Sequence, residues 1–157
     1  LKNNLSIREM SLSDLSEAKL IIEDNNMFPS ELLNEMSTPF FSHTSEEKWF
    51  VVESSDKQVI AIAYCSPERM TEGTWNLLLI AVLPSHQGHG VGRLLIEHVE
   101  SALVQKQARI MLVETSGLPE YERTRKFYPQ CGYTPVAVIP EYYGQEDDKI
   151  VFWKSLM

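Results

Sequence analysis

Apolar positions along the chain change period several times, and each change marks an element. Leu5 and Ile7 alternate with polar neighbours, as in a short strand over Leu5 to Met10. Ser11-Leu12-Ser13-Asp14 follows as a capping-box signal and predicts a helix from near Ser13, with Ala18, Ile21 and Ile22 on its apolar face until Asn25-Asn26. Pro29-Ser30-Glu31 opens a second short helix through Leu32, Leu33 and Met36, with Pro39 as its stop. Trp49 to Glu53 and Val59 to Tyr64 are β-rich runs around the polar turn Ser54-Ser55-Asp56-Lys57 and read as a hairpin. A further turn, Pro67 to Gly73, leads into Thr74 to Leu83. Within that run Leu77 to Leu83 carries no polar residue, which suits a strand covered on both faces at the centre of a sheet.

After Pro84 and Ser85 the period lengthens. Val91, Leu94, Leu95, Val99, Ala102 and Leu103 fall on one helical face, interrupted only by His98, and predict a helix from about Gly90 to Lys106. A helix of that length can serve as a crossover, returning Arg109 to Glu114 as a parallel neighbour of the central strand and bringing Glu114 to Gly117 beside the glycine loop. Glu120 to Gln130 reads as a short helix closed by Pro129. Val136 to Ile139 and Lys149 to Lys154 are the last strands, joined by Pro140 to Asp148, and both faces of the final strand are apolar enough to be covered. The order is βααβββαβαββ: an α+β fold with a mixed, mostly antiparallel sheet, one parallel central pair and helices on both faces. No stretch reads as a linker, so residues 1–157 are expected to form a single domain.

The chemistry concentrates between the central strand and the long helix. Gly88, Gly90 and Gly92 bring no side chains between the backbone N–H groups and a ligand, where the helix dipole turns its positive end outward, so a pyrophosphate would fit. A Walker loop needs Gly-Lys followed by Ser or Thr, and Gly92-Arg93-Leu94 does not supply it. The dinucleotide fingerprint needs a third glycine where this chain has Arg93 or Leu95. What remains is Gln87-Gly88-His89-Gly90-Val91-Gly92, a Gln-x-x-Gly-x-Gly pattern.

That pattern, with Ile80-Ala81-Val82-Leu83-Pro84 before it and Arg93-Leu94-Leu95 after it, resembles the GNAT superfamily of acetyl-CoA-dependent N-acetyltransferases. The element order extends the resemblance over essentially the whole chain. It implies transfer of an acetyl group from acetyl-CoA to an amine by direct nucleophilic attack, with a small-molecule or peptide amine as acceptor. The alternative on the same fold is a non-catalytic acyl-CoA-binding sensor or regulatory module. The resemblance implies that Gln87, Gly88, His89, Gly90, Val91, Gly92 and Arg93 wrap the pyrophosphate, while Ile80, Ala81 and Val82 bond the pantetheine in strand fashion. Phe127-Tyr128-Pro129-Gln130-Cys131-Gly132-Tyr133 matches the family segment in which a tyrosine protonates the leaving coenzyme sulfur, which makes Tyr128 the candidate acid. Family members often carry a carboxylate on the central strand; Asn76 stands there, so Glu114 is the first candidate base, ahead of Glu72 and Glu53. The early helical region covers the acceptor site in the family, making Met27, Phe28, Phe40 and Phe41 candidate walls or core. Tyr142-Tyr143-Gly144 with Glu146-Asp147-Asp148 could equally line an amine site or form an exposed polar turn.

Composition narrows the partners. A balance of 14 basic against 22 acidic residues gives a formal charge of -8, which argues against a nucleic-acid footprint. No apolar run approaches the roughly 20 residues of a membrane helix and no leader pattern opens the chain, so no membrane partner and a cytoplasmic setting are the default. Cys65 and Cys131 lie in apolar contexts and read as thiols of a reducing compartment, with no nucleophile motif around either. His86 and His89 lack a third ligand at metal spacing, so no metal is expected. A homodimer is left open.

Overall fold

The computed structural model describes residues 4–157. Its elements are β1 (Ser6–Glu9), α1 (Leu15–Asp24), α2 (Leu32–Phe41), β2 (Lys48–Glu53), β3 (Val59–Pro67), β4 (Thr74–Val82), α3 (Val91–Val104), β5 (Ile110–Ser116), α4 (Glu122–Gln130), β6 (Thr134–Gly144) and β7 (Asp147–Ser155). Single 3-10 turns precede α1, α3 and α4. The strands form one seven-stranded sheet in the order β1-β2-β3-β4-β5-β7-β6, with β4 in the middle. β4 and β5 are parallel and their register runs from Thr74 opposite Ile110 to Leu77 opposite Val113. The element order and the parallel pair are those read from the sequence.

By packing, the chain forms two compact units: the chain up to Ser66 together with Leu79–Ser101, and Pro67–Leu78 together with Ala102–Met157. In the first unit, β1 and β2 pair antiparallel, and so do β2 and β3. One sheet face, with Trp49, Val51, Ile62, Leu79 and Ala81, packs on Ala18, Ile21 and Ile22 of α1 and on Leu33 and Phe40 of α2. On α3, Leu95, Ile96 and Val99 are fully buried. His98, the polar break in its apolar face, is placed by an edge-on ring contact with Phe50, centroids 5.6 Å apart.

Ser11 and Asp14 form the expected capping box, the Ser11 N–H donating to the Asp14 carboxylate at 2.8 Å. The turn it caps is 3-10, and α1 itself starts at Leu15. Asp14 is also gripped by Arg8 through two hydrogen bonds of 2.7 and 2.9 Å, and the same guanidinium donates to Glu53 at 2.9 Å. β1, the start of α1 and β2 are thereby tied at one point. The Arg8 hydrogen bond is the first cause that holds Asp14 below the usual carboxylate range, and the same is true of Glu53. Arg8→Met is expected to cost about 1–3 kcal/mol at pH 7, since it leaves the nearly buried Asp14 carboxylate without its cation. Both folded-state pKa values are depressed, so this stabilisation is present above the ordinary values of 3.8 and 4.5 and is lost as pH falls through the folded ones. Urea melts of wild type and variant should differ at pH 7 and converge in acid.

Two prolines expected to end helices lie inside them. Pro39 sits in the last turn of α2 and Pro129 in the last turn of α4. A proline one turn from the end forfeits a single backbone bond. The turn is kept because it seats Phe40 in the core, while Tyr128 beside Pro129 is buried as well. The β4 run is not covered throughout: Leu78 is 48% exposed although Leu77 and Leu79 are buried. An all-apolar run carries no sign of which side chains face solvent.

The second unit closes on a longer hairpin than the sequence suggested. β6 runs through Pro140 to Gly144, and Gly144 pairs Asp147 across the turn. β6 is the sheet edge, exposed at every residue, which accommodates Pro135 and Pro140 because the N–H of an edge residue has no obligatory partner. On β7 only Lys149 and Phe152 are buried, so its faces are less covered than its apolar composition implies.

Candidate functional site

The glycine loop caps α3 without a side-chain cap. The Leu94 N–H donates to the Gly90 carbonyl at 3.1 Å, which makes Gly90 the capping residue and leaves the N–H groups of Val91, Gly92 and Arg93 without an intrahelical acceptor. Gly88 and Gly90 have φ of +78° and +83°. That backbone is strained for a residue with a Cβ, so here glycine is favoured by conformation. Successive N–H groups at a helix start are a cradle for an anion.

Gln87 serves this loop through its side chain. Its Nε2 donates to Asn25 Oδ1 and to the Val82 carbonyl, both at 3.0 Å. Asn25 Nδ2 in turn donates to the Ile21 and Val82 carbonyls, at 2.8 and 3.1 Å. The loop is thereby latched to the end of α1 and the end of β4. The sequence pattern puts the Gln87 backbone on the phosphate and gives no sign of the amide latch, because no spacing links Asn25 to Gln87. Arg93 is exposed and donates to Glu97 at 3.0 Å, a turn away on α3. His86 Nδ1 lies 3.0 Å from the Ser85 hydroxyl, and His89 is exposed. Ala81 points into the core, whereas Ile80 and Val82 are half-buried on the opposite side of β4.

In the second unit, Tyr128 is 4% exposed and packs among Phe127, Tyr133 and Phe152, with centroids at 5.4, 6.1 and 5.3 Å. Burial, then the neighbouring Cys131 and Tyr143, pushes its phenol well above the ordinary 10.0, so the hydroxyl keeps its proton.

Glu114 belongs to a chain of polar groups whose placement follows from the strand period. Asn76 lies opposite Leu112 on β4 and β5, so Glu114, two residues on, shares its face. Asn76 Nδ2 donates to Glu114 Oε1 at 3.1 Å and to Glu68 Oε1 at 2.9 Å. Across the other edge of β5, Glu114 opposes Val151, which sets Lys149 diagonally on the same face. Lys149 Nζ reaches Glu114 Oε2 at 2.8 Å and lies 3.9 Å from the centroid of the Tyr142 ring. Burial lowers the Lys149 pKa, but the Glu114 bond and charge outweigh it and leave the ammonium raised. Asn76 Oδ1 is buried with no hydrogen-bond partner. Asn76 thus joins two carboxylates that would otherwise repel. Tyr142 and Tyr143 stand on β6 rather than in a loop, and Tyr142 covers this ion pair.

Glu53 is bound to Arg8 and Lys57, and Glu72 is an exposed residue of the turn before β4. Cys65 and Cys131 are both buried and outside any disulfide, and burial pushes the Cys65 thiol up to about 12, far from a nucleophile's range. Among the described residues no His, Cys, Asp and Glu group has the arrangement to hold a metal ion, and no helix is long and apolar enough to cross a membrane.

The family model for the acetyltransferase (GNAT) domain matches residues 45–135. Among solved structures, a protein of Desulfovibrio desulfuricans assigned to the GNAT acetyltransferase family is similar over 98% of this chain and 99% of its own, at 27% identity and a TM-score of 0.89. The ribosomal-protein-S18-alanine N-acetyltransferase of Escherichia coli is similar over 97% of this chain and 94% of its own, at 22% identity and a TM-score of 0.76. An aminoglycoside 6'-N-acetyltransferase, complexed with coenzyme A, matches 97% of each chain at 16% identity and a TM-score of 0.78. The last two likenesses speak for the fold, and the model that spans more than half of the chain speaks for the family. With its glycine-capped helix, its parallel β4 and β5 pair and its element order, the chain belongs to the GNAT acetyltransferase family.

Proposed function

We propose that the protein is an N-acetyltransferase that takes the acetyl group from acetyl-CoA and passes it directly to an amine. The observation that carries this reading is the α3 start, where Gly88 and Gly90 at positive φ and the N–H groups of Val91, Gly92 and Arg93 suit the coenzyme pyrophosphate. Ile80, Ala81 and Val82 supply backbone groups for the pantetheine, and Arg93 can exchange Glu97 for a phosphate oxygen.

The amine nitrogen attacks the thioester carbon, the carbonyl becomes an oxyanion, and its collapse breaks the carbon–sulfur bond. Tyr128 gives its proton to the departing thiolate, and Glu114 receives the proton the amine sheds. The need for both is unequal. An amine with a pKa near 10.4 is almost entirely protonated at pH 7, which costs several kcal/mol, whereas a thiol near 8.5 asks less of its acid. Lys149 and Asn76 fix both oxygens of Glu114, so it acts as an oriented carboxylate beside a resident ammonium. No cysteine takes part, and there is no covalent enzyme intermediate.

The acceptor is a small-molecule or peptide amine. A panel with spermidine, an aminoglycoside, a peptide with a free N-terminal alanine and free lysine, following thiol release from acetyl-CoA, should find at least one that accelerates release. A second reading, a non-catalytic acyl-CoA-binding module, is favoured by Asn76, whose amide stands at the central-strand position and is already occupied by two carboxylates. That reading wins if acetyl-CoA raises the melting temperature while no amine of the panel, extended to further classes, accelerates release.

A further inference from the structure

The loop that starts α3 hangs between two anchors, and only one of them belongs to the helix. Downstream, the Gly90 carbonyl is held by the Leu94 N–H. Between Gln87 and that point, no N–H of Gly88, His89 or Gly90 donates to another group among the described residues. Two of these three are glycines, which have the most backbone freedom to lose. The shape of the cradle therefore depends on how firmly Gln87 is placed.

Gln87 is placed by Asn25, and Asn25 by the end of its helix. α1 closes in a Schellman cap: Asn26 takes φ of +51° and its N–H donates to the Glu23 carbonyl at 3.0 Å, while the Met27 N–H donates to the Ile22 carbonyl at 3.2 Å. Asn25 Nδ2 is engaged by the Ile21 and Val82 carbonyls, which leaves its Oδ1 to accept from Gln87 Nε2. Gln87 Nε2 also donates to the Val82 carbonyl, so two side-chain amides meet on one oxygen. A flipped Asn25 amide would set its oxygen against two carbonyl oxygens, so only one arrangement satisfies the group. The planar peptide that carries the Val82 oxygen is held at its other end too, by the Leu83 N–H on the Ile60 carbonyl of β3 at 2.8 Å. The end of α1, the end of β4 and, through it, β3 all converge on the side chain that opens the loop.

We propose that Asn25 is a positioning residue for the coenzyme. It fixes Gln87, and through Gln87 it holds Gly88 and Gly90 in the conformation that receives the pyrophosphate before the coenzyme arrives. Asn25 acts through its neighbour and not by a contact of its own: it removes ordering that binding would otherwise have to supply. This step rests on the reading of the loop as the pyrophosphate cradle.

The test is calorimetric titration of wild type, Asn25→Ala, Gln87→Met and the double variant with coenzyme A, alongside the backbone amide signals of Gly88, Gly90 and Gly92 in 15N-labelled protein. Wild type should give one sharp signal for each glycine. Asn25→Ala should bind coenzyme A about tenfold more weakly, broaden or split the Gly88 and Gly90 signals, and return them to the wild-type positions at saturation. Because Asn25 and Gln87 act as one unit, the double variant should bind no more weakly than the worse single variant. A residue that only stabilises α1 would lower the melting temperature and leave the glycine signals and the affinity unchanged. That outcome overturns the proposal, and so do additive losses in the double variant. Should Asn25→Ala fail to fold, Gln87→Met cuts the same latch from the loop side, and wild-type affinity with wild-type glycine signals in that variant is equally fatal. A wild type that takes no coenzyme A overturns the coenzyme reading together with this one, whereas equal binding by wild type and Asn25→Ala overturns this one alone.

Discussion

Gly90→Val should abolish the stabilisation of the protein by acetyl-CoA. Gly90 has φ of +83° and its carbonyl accepts the first bond of α3, so the position is both conformationally special and fixed in place by the helix. A β-branched residue there costs about 1–3 kcal/mol in strain alone. If the backbone relaxes to a negative φ to escape it, the N–H groups of Val91, Gly92 and Arg93 lose their common direction. If it does not relax, the isopropyl group stands where the phosphate should lie. Either route weakens coenzyme binding by a factor of about 100 or more, equivalent to about 2.7 kcal/mol. At a coenzyme concentration about 100 times the wild-type Kd, wild type should gain about that much stability, and the variant almost none. Calorimetric titration, with circular dichroism of the unliganded variant as a check that α3 still forms, makes the measurement. Wild-type affinity in a folded variant would exclude this loop as the phosphate cradle.

The fold was legible because its elements have strong local periods. α3 announced itself by its apolar face, and its crossover then required β5 to be parallel to β4, as it is. What escaped was decided by packing across the sheet. The exposure of Leu78 has no mark in an all-apolar strand. The continuation of α2 past Pro39 depends on Phe40 reaching the core, a gain that helix propensity does not contain. The β6 extension through Pro140 depends on its being an edge, and edge position is a property of the whole sheet.

The site divides in the same way. Glycines reveal themselves one residue at a time, because the conformation they permit is local, and both Gly88 and Gly90 adopt it. Pairings over long separations do not. Asn76 with Glu114 and Glu114 with Lys149 are set by register, Asn25 with Gln87 by the meeting of the end of α1 with the loop, and no motif connects them. Asn76 illustrates the consequence. In the sequence it is a missing carboxylate; in the fold it is the amide that lets Glu68 and Glu114 stand within reach of one donor.

Tyr128→Phe should lower kcat about 100-fold at pH 7 while leaving acetyl-CoA affinity near that of wild type, the range expected when one proton donor is lost. The substitution keeps the ring and its packing on Phe127, Tyr133 and Phe152, so the loss should come from the hydroxyl. Two pH effects accompany this role. The proton is given within the bound complex, and a pH above the thiol's own value near 8.5 decides only the state of the released product, so the deficit of the variant should stay level from about pH 7 into mild alkali. Wild type should lose no acid function there, because burial raises the Tyr128 pKa above 10.0. The same shift has a stability consequence. A folded-state pKa above the unfolded one gives stability that is present below about pH 10 and is lost as pH rises through the folded value. A phenyl ring at this position cannot ionise, so the variant should resist alkaline unfolding better than wild type does. A kcat unchanged at pH 7 would remove Tyr128 as the acid, and so would a deficit that vanishes in mild alkali, where the buried phenol still holds its proton.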